Sequence, residues 1–160
     1  YKENKSMAGT VRYLSINSHL GIRQTRRDDL ESIGYILVYF LSSGLPWQGI
    51  KAETKQDKYS RIMHAKVSTS PDVLCRDHPE EFAKYLTYAR SLRFEDKPDY
   101  AYIKRLFKDL YVRKFGEWDL VFDWVLINAA NSGAQTGNDS AYLDMNKRGL
   151  ATILEEKRGR

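Results

Sequence analysis

The chain has 160 residues, of which 42% are hydrophobic and 29% charged, a composition ordinary for a globular protein with one buried core. No apolar run approaches the roughly 20 residues of a membrane-spanning helix, so no such helix is predicted. The formal net charge is +5, and the surplus is N-terminal, because residues 1–66 carry 11 basic and 6 acidic side chains. A localised positive field favours an anionic partner, although a solvated basic face is the simpler explanation.

Helical periodicity organises the first part of the chain. A helix is expected from Asp29 through residues 33–41, and because nearly every side chain between positions 33 and 41 is apolar or aromatic, we predict that it is buried nearly all round. The stretch SSGLPWQG ends this helix, and Trp47 is expected to pack back onto the core. A more polar, lysine-rich helix is expected at residues 53–66.

Two further helices are expected after the break at STSPD. Pro79, Glu80 and Glu81 suit the first turn of one, and Pro98 precedes the other. Their apolar positions, spaced as on one helix face, are Phe82, Tyr85, Leu86, Ala89 and Leu92 in the former and Tyr100, Ile103, Phe107 and Leu110 in the latter. Residues 117–124 are expected to form a short packing turn, 128–140 a flexible linker, and 141–160 a weak amphipathic helix or charged tail. Without strand alternation, the predicted class is mostly α.

Searches for catalytic motifs give negative results. His19, His64 and His78 are far apart and have no zinc-ligand spacing, so we expect them at the surface or at helix caps. No glycine-rich phosphate loop or G-x-S-x-G elbow is present. Cys75 is the single cysteine, which excludes an internal disulfide. Together with the lack of a secretory segment, this fits an intracellular setting, cytoplasmic or nuclear.

Five stretches occur in an order and spacing that resemble the C-terminal lobe of casein kinase I family protein kinases. They are GTVRYLSIN, RRDDLESIGYILVYF, GLPWQG, SLRFEDKPDY and VFDW. Serine/threonine kinases generally end their activation segment with G-T-x-x-Y followed by Ala-Pro-Glu, whereas this family has Ser-Ile-Asn, here Ser15, Ile16 and Asn17. The resemblance spans residues 1–124 as a partial kinase domain and leaves 125–160 as linker and tail. It implies the helical C-terminal lobe of the kinase fold, without the β-rich N-terminal lobe and the catalytic loop.

The resemblance also implies roles for single residues. Thr10 resembles the threonine that contacts the catalytic aspartate and lysine and marks a serine or threonine acceptor. Asp29 resembles the aspartate that accepts hydrogen bonds from the catalytic-loop backbone, and a simple helix N-cap is the alternative. Ser15 to Asn17 would anchor the activation segment to the helical lobe.

An anion site is implied as well. In this family, acidic or phosphorylated side chains near the acceptor bind basic residues, and the matching positions are Arg12 and Lys58, with Lys5 near a second site. A guanidinium grips phosphate with a fork of donors, and an ammonium acts as a point charge. Family members are more basic where this chain reads TKQDKY, so Gln56 and Asp57 are expected to weaken the local field. The expected partners are therefore acidic or phosphorylated proteins, with no membrane and no nucleic acid.

The residues that transfer phosphate are not in the sequence. Kinases need a glycine-rich lid, a lysine paired with a helix glutamate, a catalytic-loop aspartate with its asparagine, and a DFG aspartate that holds Mg²⁺. Aligning Asp29 with the catalytic aspartate places Gly34 at the asparagine position and leaves no preceding histidine. We therefore expect ATP and Mg²⁺ to bind only in a full-length kinase, and this chain alone to bind neither and to be inactive.

Three hypotheses follow. The chain is the substrate-binding part of a casein kinase I type serine/threonine kinase, which transfers the ATP γ-phosphate to residues near acidic or phosphorylated side chains. Alternatively, it is a non-catalytic interaction protein, such as a truncated or pseudokinase lobe. A helical nucleic-acid-binding module ranks below both, because the arginines are scattered and no recognition helix follows a tight turn.

Overall fold

The computed structural model describes residues 9–116 and residues 122, 124 and 127, which are mostly helical with no strand among them. The helices in chain order are α1 (Ile16–His19), α2 (Arg26–Ser42), α3 (Lys55–Ser68), α4 (Pro71–Leu74), α5 (Glu80–Ser91) and α6 (Tyr100–Phe115). The predicted mostly α class is therefore confirmed. No helix in this part of the chain is long and apolar enough to cross a membrane. Lys5, the linker and the 141–160 tail lie outside the described residues, as does most of the 117–124 turn.

The central helix α2 begins earlier than predicted, because a cap precedes it. Thr25 is the extended N-cap residue, and its backbone N–H donates to the Asp28 carboxylate at 2.8 Å. This reciprocal use of an N-cap threonine and an acidic residue three positions later is a strong helix start signal. The helix ends at Ser42 and is followed by the C-cap residue Ser43, whose φ of 56° is left-handed. Asp29 therefore lies inside the first turn and is not the N-cap residue.

The core forms where α2 packs on α5. Tyr35 and Leu86 are completely buried, and the Tyr85 hydroxyl donates to the Leu30 carbonyl at 2.9 Å. The two helices approach closely at Gly34, where an added Cβ would lie 2.4 Å from Leu86 Cδ2. Trp47 is 1% exposed, which confirms that it packs back onto the core.

The prediction that α2 is buried nearly all round is wrong. Phe40 is 74% exposed, and Ile33 and Leu41 are each 45% exposed. Asp29, also exposed, shares one side of α2 with Ile33 and Phe40, at i, i+4 and i+11, while Leu41 is exposed in the last turn of the helix. We call these four side chains the open face of α2. Among the described residues, none covers these three apolar side chains completely.

The longer helices α3, α5 and α6 agree with the sequence prediction to within a few residues at their ends. The lysine-rich helix α3 begins and ends two residues later than predicted, and Thr54 caps it by accepting from the Asp57 N–H at 3.0 Å. The short helices α1 and α4 were not predicted. Helix α5 begins at Glu80, within the predicted first turn, and α6 begins at Tyr100, two residues after Pro98. Contacts divide the chain into two units, Tyr1–Leu110 and Tyr111–Arg160, with the division inside α6.

Candidate functional site

Residues 9–17, which we call the 9–17 segment, begin with a tight turn. The Thr10 carbonyl accepts hydrogen bonds from the backbone N–H groups of Tyr13 at 2.9 Å and Leu14 at 3.2 Å. Gly9 has a φ of 105°, a conformation that costs little only for glycine. The side chains of Thr10 and Arg12 are exposed, whereas Leu14 is buried. The segment thus passes from solvent into the core within five residues.

Its buried end is joined to α2 by two acidic side chains. Ser15 is completely buried and donates to Asp28 Oδ1 at 2.7 Å, and it also caps α1 by accepting from the Ser18 N–H at 3.1 Å. The Ile16 N–H donates to Glu31 Oε1 at 3.3 Å. Charge-assisted hydrogen bonds of this kind are stronger than neutral ones. Two consecutive residues are therefore fixed to the first two turns of α2.

Glu31 belongs to a buried polar network. Its carboxylate accepts from the Tyr35 hydroxyl and forms a 3.5 Å ion pair with the Arg90 Nε. Arg90 also donates to the Tyr35 hydroxyl at 2.9 Å and to the carbonyls of Lys66 and Thr69 at the end of α3. Burial and the nearby Glu31 charge raise the pKa of Tyr35, so its hydroxyl stays protonated and remains a donor. The network links the 9–17 segment to α2, α3 and α5.

The middle of the segment is held from below by two buried side chains. Trp47 Nε1 donates to the Arg12 carbonyl at 2.8 Å. Lys66 Nζ donates to the carbonyls of Val11, at 2.9 Å, and Leu14. Three of the four carbonyls between positions 11 and 14 are therefore bound by side chains from distant parts of the chain.

Lys66 is completely buried, which is unusual for a lysine. Its ammonium lies 3.2 Å from His19 Nε2 and 5.0 and 5.3 Å from the ring centroids of Tyr35 and Trp47. Desolvation lowers the pKa of Lys66 to about 7, with Arg90 adding to this effect and Glu31 opposing it. Cation–π contacts and carbonyl hydrogen bonds offset part of the cost of burying the charge.

The histidine nearest this site differs from its prediction. His19 lies in the last turn of α1 but is half-buried, and its Nδ1 is buried without a hydrogen-bond partner. Burial, followed by repulsion from Lys66, lowers the pKa of His19 to about 4. It is therefore a neutral acceptor for the Lys66 ammonium, and the expectation of a simple surface or cap position is wrong for it. His64 is exposed, and His78 contacts the Ser42 hydroxyl at 2.6 Å.

Arg12 presents its guanidinium to solvent beside a pair of aromatic rings, Tyr13 and Tyr39, whose centroids are 5.8 Å apart. Its Cζ lies 5.7 Å from the Tyr13 ring centroid and 5.4 Å from that of Tyr39 on α2. A hydrogen bond with the Tyr13 side chain is the main cause that raises the pKa of Arg12 above its ordinary value. The side chain is therefore charged at every relevant pH and can bind a carboxylate or phosphate.

The other residues implied by the resemblance lie at several places. Lys58 is exposed in the first turn of α3, two turns from Lys66 and about 12 Å away along the helix axis. Asp57, beside it, forms a 3.0 Å ion pair with Arg61, so its charge is partly compensated. Asp29 is exposed on the open face of α2, and Asn17 is half-buried at the start of α1.

The residues that hold the segment are not among those predicted from the sequence. Charged side chains in helices are usually solvated, so their residue types alone do not indicate this role. These residues are Asp28, Glu31, Lys66 and Arg90. One signal was available for Lys66, which follows Ile62 by four positions and therefore extends the buried face of α3. The signal for Asp28 was its position three residues after Thr25.

The exposed Arg12 guanidinium can bind an anion, whereas the described residues around it form neither a metal cluster nor an activated nucleophile. Among the described residues, no group of three or more His, Cys, Asp or Glu side chains could hold a metal ion. The thiol of Cys75 is buried, and desolvation raises its pKa to about 11, so it is not an activated nucleophile. In a comparison with known protein families, no family model matches the chain.

Proposed function

We propose that the chain is the substrate-binding part of a casein kinase I type serine/threonine protein kinase. The complete enzyme would transfer the γ-phosphate of ATP to serine or threonine near acidic or phosphorylated side chains. The sequence contains neither the ATP-binding motifs, nor the catalytic aspartate, nor the DFG aspartate that holds Mg²⁺ in kinases. ATP and Mg²⁺ therefore belong to the rest of such a kinase.

The observation that carries the proposal is the division of the 9–17 segment into a fixed backbone and free side chains. Its carbonyls at positions 11, 12 and 14 are bound by Lys66 and Trp47, while the side chains of Thr10 and Arg12 stay exposed. A fixed backbone with exposed side chains suits a loop that binds a peptide, because a preorganised loop loses less conformational entropy on binding.

The open face of α2 is a second support. This helix packs in the core, yet it also exposes three large apolar side chains and the carboxylate of Asp29. Such exposed apolar surface is unusual unless something binds to it. If the chain is part of a kinase, a catalytic loop would lie over Asp29. The segments that precede this loop in the kinase would cover Ile33, Phe40 and Leu41. The non-catalytic interaction reading would instead leave this face to a separate partner.

A fusion protein tests the proposal. The N-terminal lobe and catalytic loop of a casein kinase I enzyme would be joined to the start of this chain, and transfer of radioactive phosphate from ATP to casein would be measured. We expect phosphorylation by the fusion and none by the 160-residue chain alone. A fusion whose melting temperature rises with Mg²⁺–ATP, and which is therefore folded, but which transfers no phosphate would refute the enzyme reading.

The 160-residue chain provides an independent test that does not need the fusion. Its affinity for a peptide with a phosphoserine upstream of an acceptor serine would be compared with its affinity for the unphosphorylated peptide by fluorescence anisotropy. We expect tighter binding of the phosphopeptide, weakening as salt is added. Equal affinities for a chain with a helical circular dichroism spectrum would refute the anion site.

A further inference from the structure

Lys66 occupies a position that packing alone does not explain. A completely buried ammonium is costly, and no carboxylate among the described residues pairs with it within ion-pair distance. Methionine at this position would fill a similar volume without burying a charge. What lysine adds is a set of three donors on a flexible stem, and these are directed at the Val11 and Leu14 carbonyls and at His19 Nε2.

The two carbonyls that Lys66 binds lie on either side of Arg12 and Tyr13. Trp47 binds the carbonyl between them, at Arg12 itself, through its indole N–H. The backbone at Arg12 is thus fixed by buried side chains, and the guanidinium extends to solvent beside the Tyr13 and Tyr39 rings. Loss of the lysine donors would free the backbone on both sides of Arg12.

We propose that Lys66 is a positioning residue for substrate recognition, which sets the Arg12 guanidinium for a phosphate or carboxylate on the bound peptide. This inference rests on the proposed function and deepens it, since it assigns the preference for anionic peptides to a buried side chain as well as to the exposed ones. Lys66 does not touch the substrate, and it acts through the backbone of the 9–17 segment.

The surroundings of Lys66 make its charge sensitive to pH. The ionisable groups that face it are His19 on α1, Glu31 and Tyr35 on α2, and Arg90 on α5. Desolvation is the largest cause that lowers the pKa of Lys66, to about 7. Above that pH the neutral amine can donate only two hydrogen bonds, without charge assistance.

A double-mutant cycle on the 160-residue chain tests the inference. The dissociation constants of the phosphoserine peptide and its unphosphorylated form would be measured for wild type, Lys66→Met, Arg12→Ala and the double variant. We expect Lys66→Met to weaken phosphopeptide binding about tenfold and binding of the unphosphorylated peptide less than about twofold. In the Arg12→Ala background, Lys66→Met should have no further effect on the phosphopeptide, because the two residues act as one unit.

Trp47→Phe is a milder variant that keeps most of the ring and removes only the hydrogen bond to the Arg12 carbonyl. We expect it to weaken phosphopeptide binding selectively as well, and it replaces Lys66→Met in the cycle should that variant not fold. A wild-type preference for the phosphopeptide that the variants retain would overturn the role of Lys66 and leave the proposed function intact. Equal weakening of both peptides, or the same weakening in the Arg12→Ala background, would show a merely structural role. A wild type without any preference would overturn the anion site itself.

Discussion

Ser15 and Asp28 share a buried hydrogen bond of 2.7 Å between Oγ and Oδ1. The other oxygen of the same carboxylate accepts from the Thr25 N–H that precedes α2. One side chain therefore caps the central helix and holds the 9–17 segment against it. Asp29, the next residue, is exposed and makes neither contact.

The Asp28 and Asp29 pair allows a matched test of this relationship. We expect Asp28→Ala to lower the free energy of unfolding by roughly 2 to 4 kcal/mol, since it removes a cap and replaces the charged acceptor of the buried Ser15 hydroxyl by the neutral Ser18 hydroxyl alone. Asp29→Ala should change it by less than about 0.5 kcal/mol, as is usual for an exposed position. Urea unfolding followed by circular dichroism measures both, and equal losses would contradict the assignment of the cap to Asp28.

The contact between α2 and α5 at Gly34 should not tolerate a methyl group. A Cβ there would lie 2.4 Å from Leu86 Cδ2 and 3.1 Å from Tyr85 Cε1. We expect Gly34→Ala to destabilise the chain by about 1 to 3 kcal/mol through overpacking. Gly44→Ala is the control, because its nearest neighbour would be the Gln48 side-chain oxygen at 3.6 Å, an ordinary contact. Thermal unfolding that gives the two variants the same melting temperature would disprove the close approach.

His19 should make stability depend on pH in a defined window. Its pKa in the folded chain is lowered to about 4 from 6.5, so the unfolded chain binds more protons between these values. Stability therefore falls as the pH is lowered from 6.5 to 4. We expect His19→Gln to reduce the slope of the unfolding free energy against pH in this window. His64→Gln, at an exposed position on α3, is the control for the loss of an imidazole. An unchanged slope in His19→Gln would argue against a neutral, buried His19.

The open face of α2 should bind apolar probes in the 160-residue chain. We expect the double variant Phe40→Ser, Leu41→Ser to bind less anilinonaphthalene sulfonate, with lower dye fluorescence, and to self-associate less than the wild type. Both apolar side chains are exposed in the folded chain. Val67→Ser, at an exposed position on α3, is the control. In the kinase fusion the same double substitution should lower the melting temperature, since the face would be covered there. An unchanged melting temperature of the fusion would favour the hypothesis of a non-catalytic interaction protein.

Arg12 and Lys58 should discriminate between substrates in the kinase fusion. We expect Arg12→Ala with Lys58→Ala to lower kcat/KM for phosphorylated or acidic peptides by about tenfold or more, and for neutral peptides much less, because charge-assisted hydrogen bonds to the anion are lost. Arg23→Ala with Lys51→Ala removes two other exposed positive charges and should be nearly neutral. Equal losses on both peptide classes would refute the anion-site assignment.

The longer helices were predictable because their signals are local. Short stretches of sequence contain the apolar spacing of α5 and α6. They also contain the breaks around Trp47 and Pro98, and the observed helices agree with both. The short helices α1 and α4 were missed, since four residues are too few to show a period. Exposure along α2 was misjudged because composition shows which side chains are apolar and not which of them find a neighbour.

The sequence by itself determined the helical class and the main helix positions, and it led to the prediction that Thr10 and Arg12 contact a substrate. Only the tertiary structure decided what holds them. Lys66 meets the Val11 carbonyl across 55 positions, and Trp47 meets the Arg12 carbonyl across 35. Such contacts depend on how separate helices pack. The four-residue spacing from Ile62 places Lys66 on the buried face of α3, but it does not show which carbonyls the ammonium binds. The anchoring of the 9–17 segment is therefore a property of the folded chain.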